Sequence, residues 1–208
     1  MKITIFGASG KVGRLVVDKL LQQGHTVTVY VHQSSVFEPS EQLKIIKSDV
    51  HNAAFVEAAV RGSDAVVSTL GSWHTPTKDI LSAAMSYVIP AMQKEGIKRI
   101  ITLTGSAAWA PGDTISFGNK LSHKVFSFIA KDIIRDSETH LKLLADSGLD
   151  WTSIRSPIMR KGTSKGYTLN SDMPGATETI ERDAVAQAIV DQLTATDQLT
   201  KAPQIHRS

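Results

Sequence analysis

Three glycines near the start of the chain have a spacing that suits phosphate binding. Gly7, Gly10 and Gly13 lie in the stretch TIFGASGKVGR, which follows a short β-branched run and opens a segment with helical periodicity. A turn of this kind leaves backbone N–H groups free at a helix N-terminus, where the helix dipole also favours an anion. The first glycine permits the turn, the second a close approach of phosphate, and the third close packing of helix on strand. The stretch predicts a site for the pyrophosphate of a dinucleotide.

Further contacts with such a cofactor are expected where successive strands end. The glycine loop and the first helical turn would bind the pyrophosphate through Gly7, Ser9, Gly10, Lys11, Val12, Gly13 and Arg14. Asp49 and Val50 follow the third predicted strand, where the carboxylate either meets the adenine or caps the next helix. The ribose and nicotinamide side would be lined from the fourth and fifth strands by Thr69, Leu70, Gly71 and Thr104.

The stretch after the second strand bears on the choice of cofactor. An acidic residue about 20 positions after the glycine loop would bind the ribose 2′-hydroxyl of NAD. The sequence VYVHQSSVFE has no acid before Glu38, whereas His32, Ser34 and their neighbours could surround a 2′-phosphate, with Arg14 reaching over. NADP(H) is therefore favoured over NAD(H). Many NADP-binding proteins have arginine at the position of His32, so NAD(H) stays the alternative.

The elements that must position these residues alternate between strand and helix. Short β-branched runs predict strands over 2–6, 26–31, 43–49, 64–71, 97–105 and 150–157, with an added strand at 166–171. Apolar residues at helical spacing predict helices over 11–24, 52–62, 77–95, 119–147 and 181–193. Such alternation predicts an α/β chain: a three-layer, doubly wound Rossmann fold with a mainly parallel sheet and helices on both faces.

Four segments leave the local course of the chain open. Pro90 lies inside the third predicted helix, where it removes a hydrogen bond and should kink the helix. The segment 119–147 is compatible with one long helix or two shorter ones. Residues 159–179 are irregular and could form a loop over a ligand, and the polar tail after residue 193 either forms a last short strand or frays.

Length and composition favour one cofactor-binding domain. The 208 residues carry a formal net charge of +3 and no cysteine. We expect a single domain over 1–208, with small substrate-side elements at about 155–208. The absence of basic runs gives no support to nucleic-acid binding, and the absence of an apolar leader or of about 18 consecutive apolar residues predicts a cytoplasmic protein that does not bind membranes. No metal site is predicted, and thiolate chemistry is excluded.

Several stretches together resemble the atypical short-chain dehydrogenases/reductases, most of all their NmrA-like, biliverdin reductase B and flavin reductase-type members. They are GASGKVGR, SDV, STLG, LTGSAAW, SGLDWTSIRSP and ERDAVAQAIVDQL, which span nearly the whole chain. The resemblance implies a Rossmann sheet with substrate bound over the nicotinamide, at the ends of strands four, five and six. At matching positions it implies that Ser106 is the serine ending strand five and that Pro157 shapes the nicotinamide pocket.

The acid found in most short-chain dehydrogenases is missing. Those enzymes use Tyr-x-x-x-Lys, in which lysine lowers the pKa of a tyrosine that protonates a carbonyl oxygen. The residues four positions after Tyr30, Tyr87 and Tyr167 are serine, alanine and serine. This absence argues against a sugar-nucleotide epimerase or dehydratase. Flavins and quinones accept hydride at an electron-poor centre without that tyrosine.

Five residues near the predicted strand ends are candidates for contact with such an acceptor. Ser106 could hydrogen-bond it, and His74 could donate a proton near neutral pH. Trp73 and Trp109 could stack on a flat ring, and Ile158 could contribute apolar surface. The competing interpretation makes His74 an ordinary loop histidine and the two tryptophans packing residues.

Two classes of function fit these residues. The leading hypothesis is an NAD(P)H-dependent reductase acting on a planar small molecule such as a flavin or quinone. The alternative is a non-catalytic NAD(P) sensor of the NmrA-like kind, which would require a protein partner. An isomerase or dehydratase on the same scaffold remains, and the chain is expected to be a monomer or a homodimer.

Overall fold

The computed structural model describes residues 1–32, 36–73, 75, 77–113, 130–175 and 177–208. The strands are β1 Lys2–Phe6, β2 Thr26–Val31, β3 Leu43–Lys47, β4 Ala65–Ser68, β5 Arg99–Gly105, β6 Asp150–Ser156, β7 Ile158–Arg160, β8 Tyr167–Asn170, β9 Thr179–Glu181 and β10 Gln204–Arg207. The helices of these residues are α1 Lys11–Gln22, α2 Ala53–Val60, α3 Ile80–Lys94, α4 Lys131–Ala145 and α5 Arg182–Asp191.

Eight of the strands form one sheet in the order β3-β2-β1-β4-β5-β6-β10-β8. The first seven of these run parallel, and β8 pairs antiparallel with β10. The chain adds β2 and β3 on one side of β1 and then crosses to add β4 on the other side. The strand order therefore reverses between β1 and β4, as in doubly wound sheets that bind ligands beyond the carboxyl ends of their strands. The predicted fold class is confirmed.

Helices cover both faces of this sheet because successive strand residues point to opposite sides. Ile3 and Ile5 of β1 belong to an apolar core with residues of α1 and α5. Phe6, from the same strand, belongs to a second core with residues of α2, α3 and α4. Within the described residues, no helix has the length and apolar character needed to cross a bilayer.

The observed elements are shorter than several of the predicted ones. The predicted strands 43–49 and 64–71 end at Lys47 and Ser68, because the chain leaves the ladder there to form loops at the carboxyl edge. Helix α3 is continuous and contains Pro90. Helix α4 accounts for the second part of the predicted segment 119–147, whose residues 119–129 lie outside the described chain.

The prediction that 159–179 is irregular was wrong at both ends of the segment, whereas the added strand predicted at 166–171 is confirmed as β8. Strand β7 opens this region and pairs parallel with β9, which closes it, in a separate two-stranded sheet. The polar tail ends in a short strand, β10, which lies between β6 and β8 in the main sheet. These pairings join segments about 20 to 50 residues apart, so the local hydrophobic periodicity of the sequence could not predict them.

A buried histidine lies between α4 and the sheet. His140 Nε2 is 2.9 Å from Thr102 Oγ1, and Thr102 Oγ1 donates to Ser153 Oγ at 2.8 Å. Burial lowers the pKa of His140 to about 4, against the smaller opposing effects of the Leu81 backbone and the Asp136 carboxylate. The imidazole is therefore neutral in the folded protein at pH 7.

This burial makes stability depend on pH. Between pH 6.5 and 4 the unfolded chain binds a proton that the folded chain does not, so stability falls as the pH decreases. From pH 7 to 4.5 we expect His140 to remove about 2–3 kcal/mol of unfolding free energy. Urea unfolding at both pH values should show this loss of unfolding free energy. In His140→Gln the loss between the two pH values should be smaller by about 2–3 kcal/mol. An equal pH dependence in the variant would contradict the assignment.

Candidate functional site

The turn after β1 lies too close to its neighbours to accept a side chain at two glycines. Gly7 has φ +79°, and a Cβ there would lie 2.7 Å from the backbone N of Leu70 and the carbonyl carbon of Thr69. A Cβ on Gly13 would overlap the Gly7 carbonyl oxygen and lie 2.8 Å from Ala8 Cα. The turn therefore packs directly against both the end of β4 and the first turn of α1.

The N-terminus of α1 has features of an anion site. Gly10 is its N-cap, so no side chain caps the helix, and its first turn holds no acidic residue. Ser9 Oγ is buried, with no hydrogen-bond partner among the described residues. Arg14 Nε donates to the Ser9 carbonyl at 2.9 Å, which places an exposed guanidinium beside the loop. A dinucleotide pyrophosphate fits these donors, and Ser9, Lys11 and Arg14 are the side chains able to reach it.

The end of β4 is tied to this turn by hydrogen bonds. Thr69 N donates to the Phe6 carbonyl at 2.9 Å, and Thr69 Oγ1 donates to the Gly7 carbonyl at 3.1 Å. Leu70 is half-buried and Gly71 is exposed beyond it. Residues 69–71 therefore lie where the strand order reverses, which is the position expected for residues that line a bound dinucleotide.

Asp49 organises the ends of β2 and β3. It contacts His32 Nε2 at 3.0 Å and His51 Nδ1 at 2.5 Å, and its carbonyl accepts from the Tyr30 hydroxyl at 2.8 Å. The backbone N–H of His51 is the largest cause of a lowered pKa at Asp49, so this carboxyl is ionised at neutral pH. Sequence reasoning named His32 and Asp49 separately and missed both their contact and His51. Gln33, Ser34 and Ser35 lie outside the described residues.

Two predicted cofactor residues can offer only their backbone. The side chains of Val12 and Val50 are buried in the two apolar cores. Thr104 is also buried, and its Oγ1 has no hydrogen-bond partner in the described part of the chain. Pro157 is buried at the end of β6.

Ser106 is held through its main chain immediately after β5. Its N–H donates to the Ser156 carbonyl at 2.9 Å, and its carbonyl accepts from Gln204 Nε2 at 3.1 Å. Both contacts use backbone atoms of Ser106. They fix the position of the residue, and its hydroxyl takes no part in either of them. The contact from Gln204 depends on the placement of β10 in the sheet, which the sequence did not predict.

A buried arginine anchors the loop that carries Ser106. Arg155 of β6 is 2% exposed and donates to the Ala108 carbonyl at 3.1 Å and the Ala202 carbonyl at 2.7 Å. Its guanidinium also binds both carboxylate oxygens of Asp113. Sequence reasoning missed this pair. The available signal was an arginine inside the otherwise apolar and small-residue run of a buried strand.

A buried carboxylate anchors the loop after β4 in the same way. Asp136 of α4 accepts hydrogen bonds from Ser72 Oγ at 2.7 Å and from the backbone N and Oγ of Ser82 at 2.9 and 2.6 Å. Leu81 N also donates to it, at 3.1 Å. Asp136 thereby caps α3 from a different helix and fixes the residue that precedes Trp73. The sequence did not reveal this role.

The carboxyl ends of β4, β5 and β6 bring several predicted substrate contacts to one edge of the sheet. Trp73 after β4 is 66% exposed and Ile158 after β6 is 72% exposed, while Ser106 follows the strand between them. Trp109 is half-buried, and its backbone N donates to Glu138 Oε1 at 3.2 Å. His74 lies outside the described residues. This edge therefore presents large apolar side chains on both sides of one hydroxyl.

The fold and the glycine loop define a Rossmann-type dinucleotide-binding protein. Residues 7–196 match the family model described as NAD(P)H-binding, and the chain belongs to that family. The predicted membership of an NAD(P)-binding family is confirmed.

Three similar proteins match nearly the whole length of this chain. UPF0659 protein YMR090W of Saccharomyces cerevisiae is 27% identical over 207 residues, covering 93% of this chain and 87% of that protein. A short-chain dehydrogenase/reductase of Veillonella parvula, solved with NADP, has a TM-score of 0.79 at 20% identity and covers 99% of this chain and 94% of its own. ChuY of Escherichia coli O157:H7, described as an anaerobillin reductase, has a TM-score of 0.77 at 19% identity and covers 100% of this chain and 97% of its own. At these identities the solved structures show a shared fold.

Adding one methyl group at Gly13 should damage both the fold and cofactor binding. Gly13→Ala places a Cβ against the turn backbone, so we expect about 2–4 kcal/mol of destabilisation and at least tenfold weaker NADPH binding. Thermal unfolding and fluorescence titration measure the two effects. The matched control is Gly175→Ala, where a Cβ meets nothing within 4 Å. Normal NADPH affinity in Gly13→Ala would contradict the assigned packing.

Removing Asp113 should leave the buried Arg155 guanidinium without its counter-ion. We expect Asp113→Ala to cost about 3 kcal/mol of stability, because a buried charge that loses its partner is strongly unfavourable. The control is Asp146→Ala, which breaks an exposed pair with Lys142 and should cost at most about 0.5 kcal/mol. Chemical denaturation of both variants tests the difference, and equal losses would refute the anchoring role of Arg155.

Proposed function

We propose that this chain is an NAD(P)H-dependent reductase that transfers hydride to a flat acceptor such as a flavin or a quinone. The observation that carries the proposal is the exposure of Trp73 and Ile158 on either side of Ser106 at the carboxyl edge of the sheet. These large apolar side chains are exposed after the two strands that flank β5, so both are available to a ligand or partner. When bound, the nicotinamide supplies the hydride.

The side chains at this edge would bind and orient the acceptor. Trp73 and Ile158 offer apolar surface to a planar ring and exclude water from it. Ser106, held at its N–H and carbonyl, directs its hydroxyl as a hydrogen bond to a polar atom of the acceptor. His74, the residue that follows Trp73 in the sequence, is the proposed proton donor, and Trp109 is proposed as a second ring contact.

The missing Tyr-x-x-x-Lys pair supports an acceptor of this kind. A ketone needs a strong local acid as hydride arrives, whereas the electron-poor ring of a flavin or quinone accommodates the added electrons and takes its proton from water or a weaker acid. The description of ChuY as a reductase is consistent with this chemistry, as an analogy from fold that does not by itself establish function.

We further propose a preference for NADP(H). Arg14, fixed by its bond to the Ser9 carbonyl, and His32, held by Asp49, provide two cationic or potentially cationic groups near the expected 2′-phosphate. The structural neighbour from Veillonella parvula is described as a complex with NADP. The carboxylate of Asp49 opposes this preference, because it could instead accept a ribose hydroxyl.

The second candidate is a non-catalytic NAD(P) sensor with a protein partner. The same missing tyrosine favours it, because a protein that only reports cofactor binding needs no acid. Exposed Trp73 and Ile158 would then contact the partner. Turnover separates the two functions, since a sensor consumes no cofactor.

The deciding experiment measures binding first and turnover second. NADPH and NADH are titrated by fluorescence, and then FMN, riboflavin and a quinone are added while absorbance at the nicotinamide band is followed. We expect tighter binding of NADPH and acceptor-dependent loss of the band. Ser106→Ala should lower kcat/KM by about tenfold, the value of one lost hydrogen bond.

Ser86→Ala, which changes an exposed hydroxyl on α3, is the control and should retain full activity. Firm cofactor binding with no loss of the band for any acceptor would reject the reductase and favour the sensor. Equal binding of NADPH and NADH would reject the proposed preference.

A further inference from the structure

The small β7–β9 sheet presents a polar and charged face next to the candidate site. Ile158 pairs with Thr179, and Arg160 pairs with Glu181, so these four residues lie on one side of the sheet. Met159 and Ile180 lie on the other side, where Ile180 is fully buried. We call the first side, together with Arg207 of β10, the arginine face.

Two guanidinium groups on this face share one buried carboxylate. Arg160 Nη2 and Nε lie 2.7 and 3.2 Å from Glu181 Oε1. Arg207 Nη2 lies 3.1 Å from the same oxygen, and its Nε lies 3.3 Å from Oε2. Arg207 Nη2 also donates to Thr179 Oγ1 at 3.2 Å. These contacts hold both guanidinium groups in fixed positions.

The shared carboxylate leaves the arginine face with excess positive charge. Hydrogen bonding from Arg160 is the largest cause of a lowered pKa at Glu181, so this group contributes one negative charge against two positive ones. The Arg160 side chain is 54% exposed and that of Arg207 is 40% exposed, whereas Glu181 is 8% exposed. Solvent and ligands therefore reach the cations more readily than the anion between them.

The arginine face is continuous with the edge that carries Ser106. Ser156, whose carbonyl accepts from Ser106 N, precedes Ile158 by two residues. Arg160 follows Ile158 by two more, which is about 7 Å along a strand. Arg207 lies three residues beyond Gln204, whose side chain bonds the Ser106 carbonyl. Arg207 thus lies on a strand that contacts the Ser106 backbone, and Arg160 lies on β7, which directly follows β6, the other strand that contacts it.

We propose that the arginine face binds an anionic group, a carboxylate or a phosphate, carried by the planar acceptor. This inference rests on the proposed function, since it names a feature of the same acceptor. Guanidinium groups bind carboxylate and phosphate through paired N–H donors, and pre-positioned ones lose little freedom on binding. Ile158 contacts the apolar ring while Arg160 and Arg207 bind its anionic substituent.

FMN and riboflavin provide a matched pair of probes, because they share one ring system and differ by a phosphate. Flavin fluorescence quenching measures the dissociation constant of each with the full chain saturated with NADP⁺. At low salt we expect FMN to bind about tenfold more tightly than riboflavin, and the ratio to decrease as salt screens the charges. Arg160→Gln with Arg207→Gln should bring the ratio close to one by weakening FMN alone.

Two further variants separate charge from structure. Arg160→Lys preserves the charge but lacks the paired donors of a guanidinium, so it should keep only part of the FMN preference. Lys44→Gln removes one exposed charge on β3, at the opposite edge of the sheet, and should leave the ratio unchanged. NADPH affinity and thermal unfolding are measured for every variant. If the double variant fails to fold, the proposal is tested by the FMN-to-riboflavin affinity ratio of Arg160→Gln alone and by the salt dependence of that ratio in the unaltered chain.

The outcomes for the two proposals differ. FMN preference in binding without any turnover supports the arginine face and rejects the reductase. Turnover with equal affinity for FMN and riboflavin, or a preference that survives in the double variant, overturns the arginine face and leaves the reductase in place. A failure of both flavins to bind overturns the arginine face as well.

Discussion

The close approach of three backbone segments at the end of β1 is the constraint on which this site depends. The turn at Gly7 touches the end of β4, and the first turn of α1 touches Gly7 through Gly13. Only the absence of Cβ atoms allows these distances. The approach directs the uncapped N-terminus of α1 toward the crevice where the strand order reverses, so packing and anion binding have the same structural origin.

The loops around this crevice are held by buried charges that belong to other elements. Arg155 of β6 anchors the loop after β5, and Asp136 of α4 anchors the loop after β4. A buried charge is stable only when its hydrogen bonds are satisfied, so each anchor tolerates few alternative loop positions. These buried contacts therefore fix the positions of Ser106 and of the residues before Trp73 relative to the sheet.

Much of this architecture was accessible from local pattern. The alternation of short β-branched runs with helical periodicity predicted the order and approximate bounds of the main elements, because both signals depend on neighbouring residues. The glycine spacing predicted the cofactor loop for the same reason. The pairing of β7 with β9 and the entry of β10 beside β6 were not predictable in this way, since each joins segments far apart in the chain.

The sequence by itself determined the class of protein: its glycine loop and strand–helix alternation specify a doubly wound dinucleotide-binding fold, and its tyrosines exclude the usual acid pair. Tertiary structure alone decided what surrounds that loop. Asp113 lies 42 residues from Arg155, and Ser72 lies 64 residues from Asp136, yet each pair is in direct contact. Local periodicity predicts which face of an element is buried. It does not predict which distant charged residue that face will contact, because this contact depends on how the whole sheet assembles.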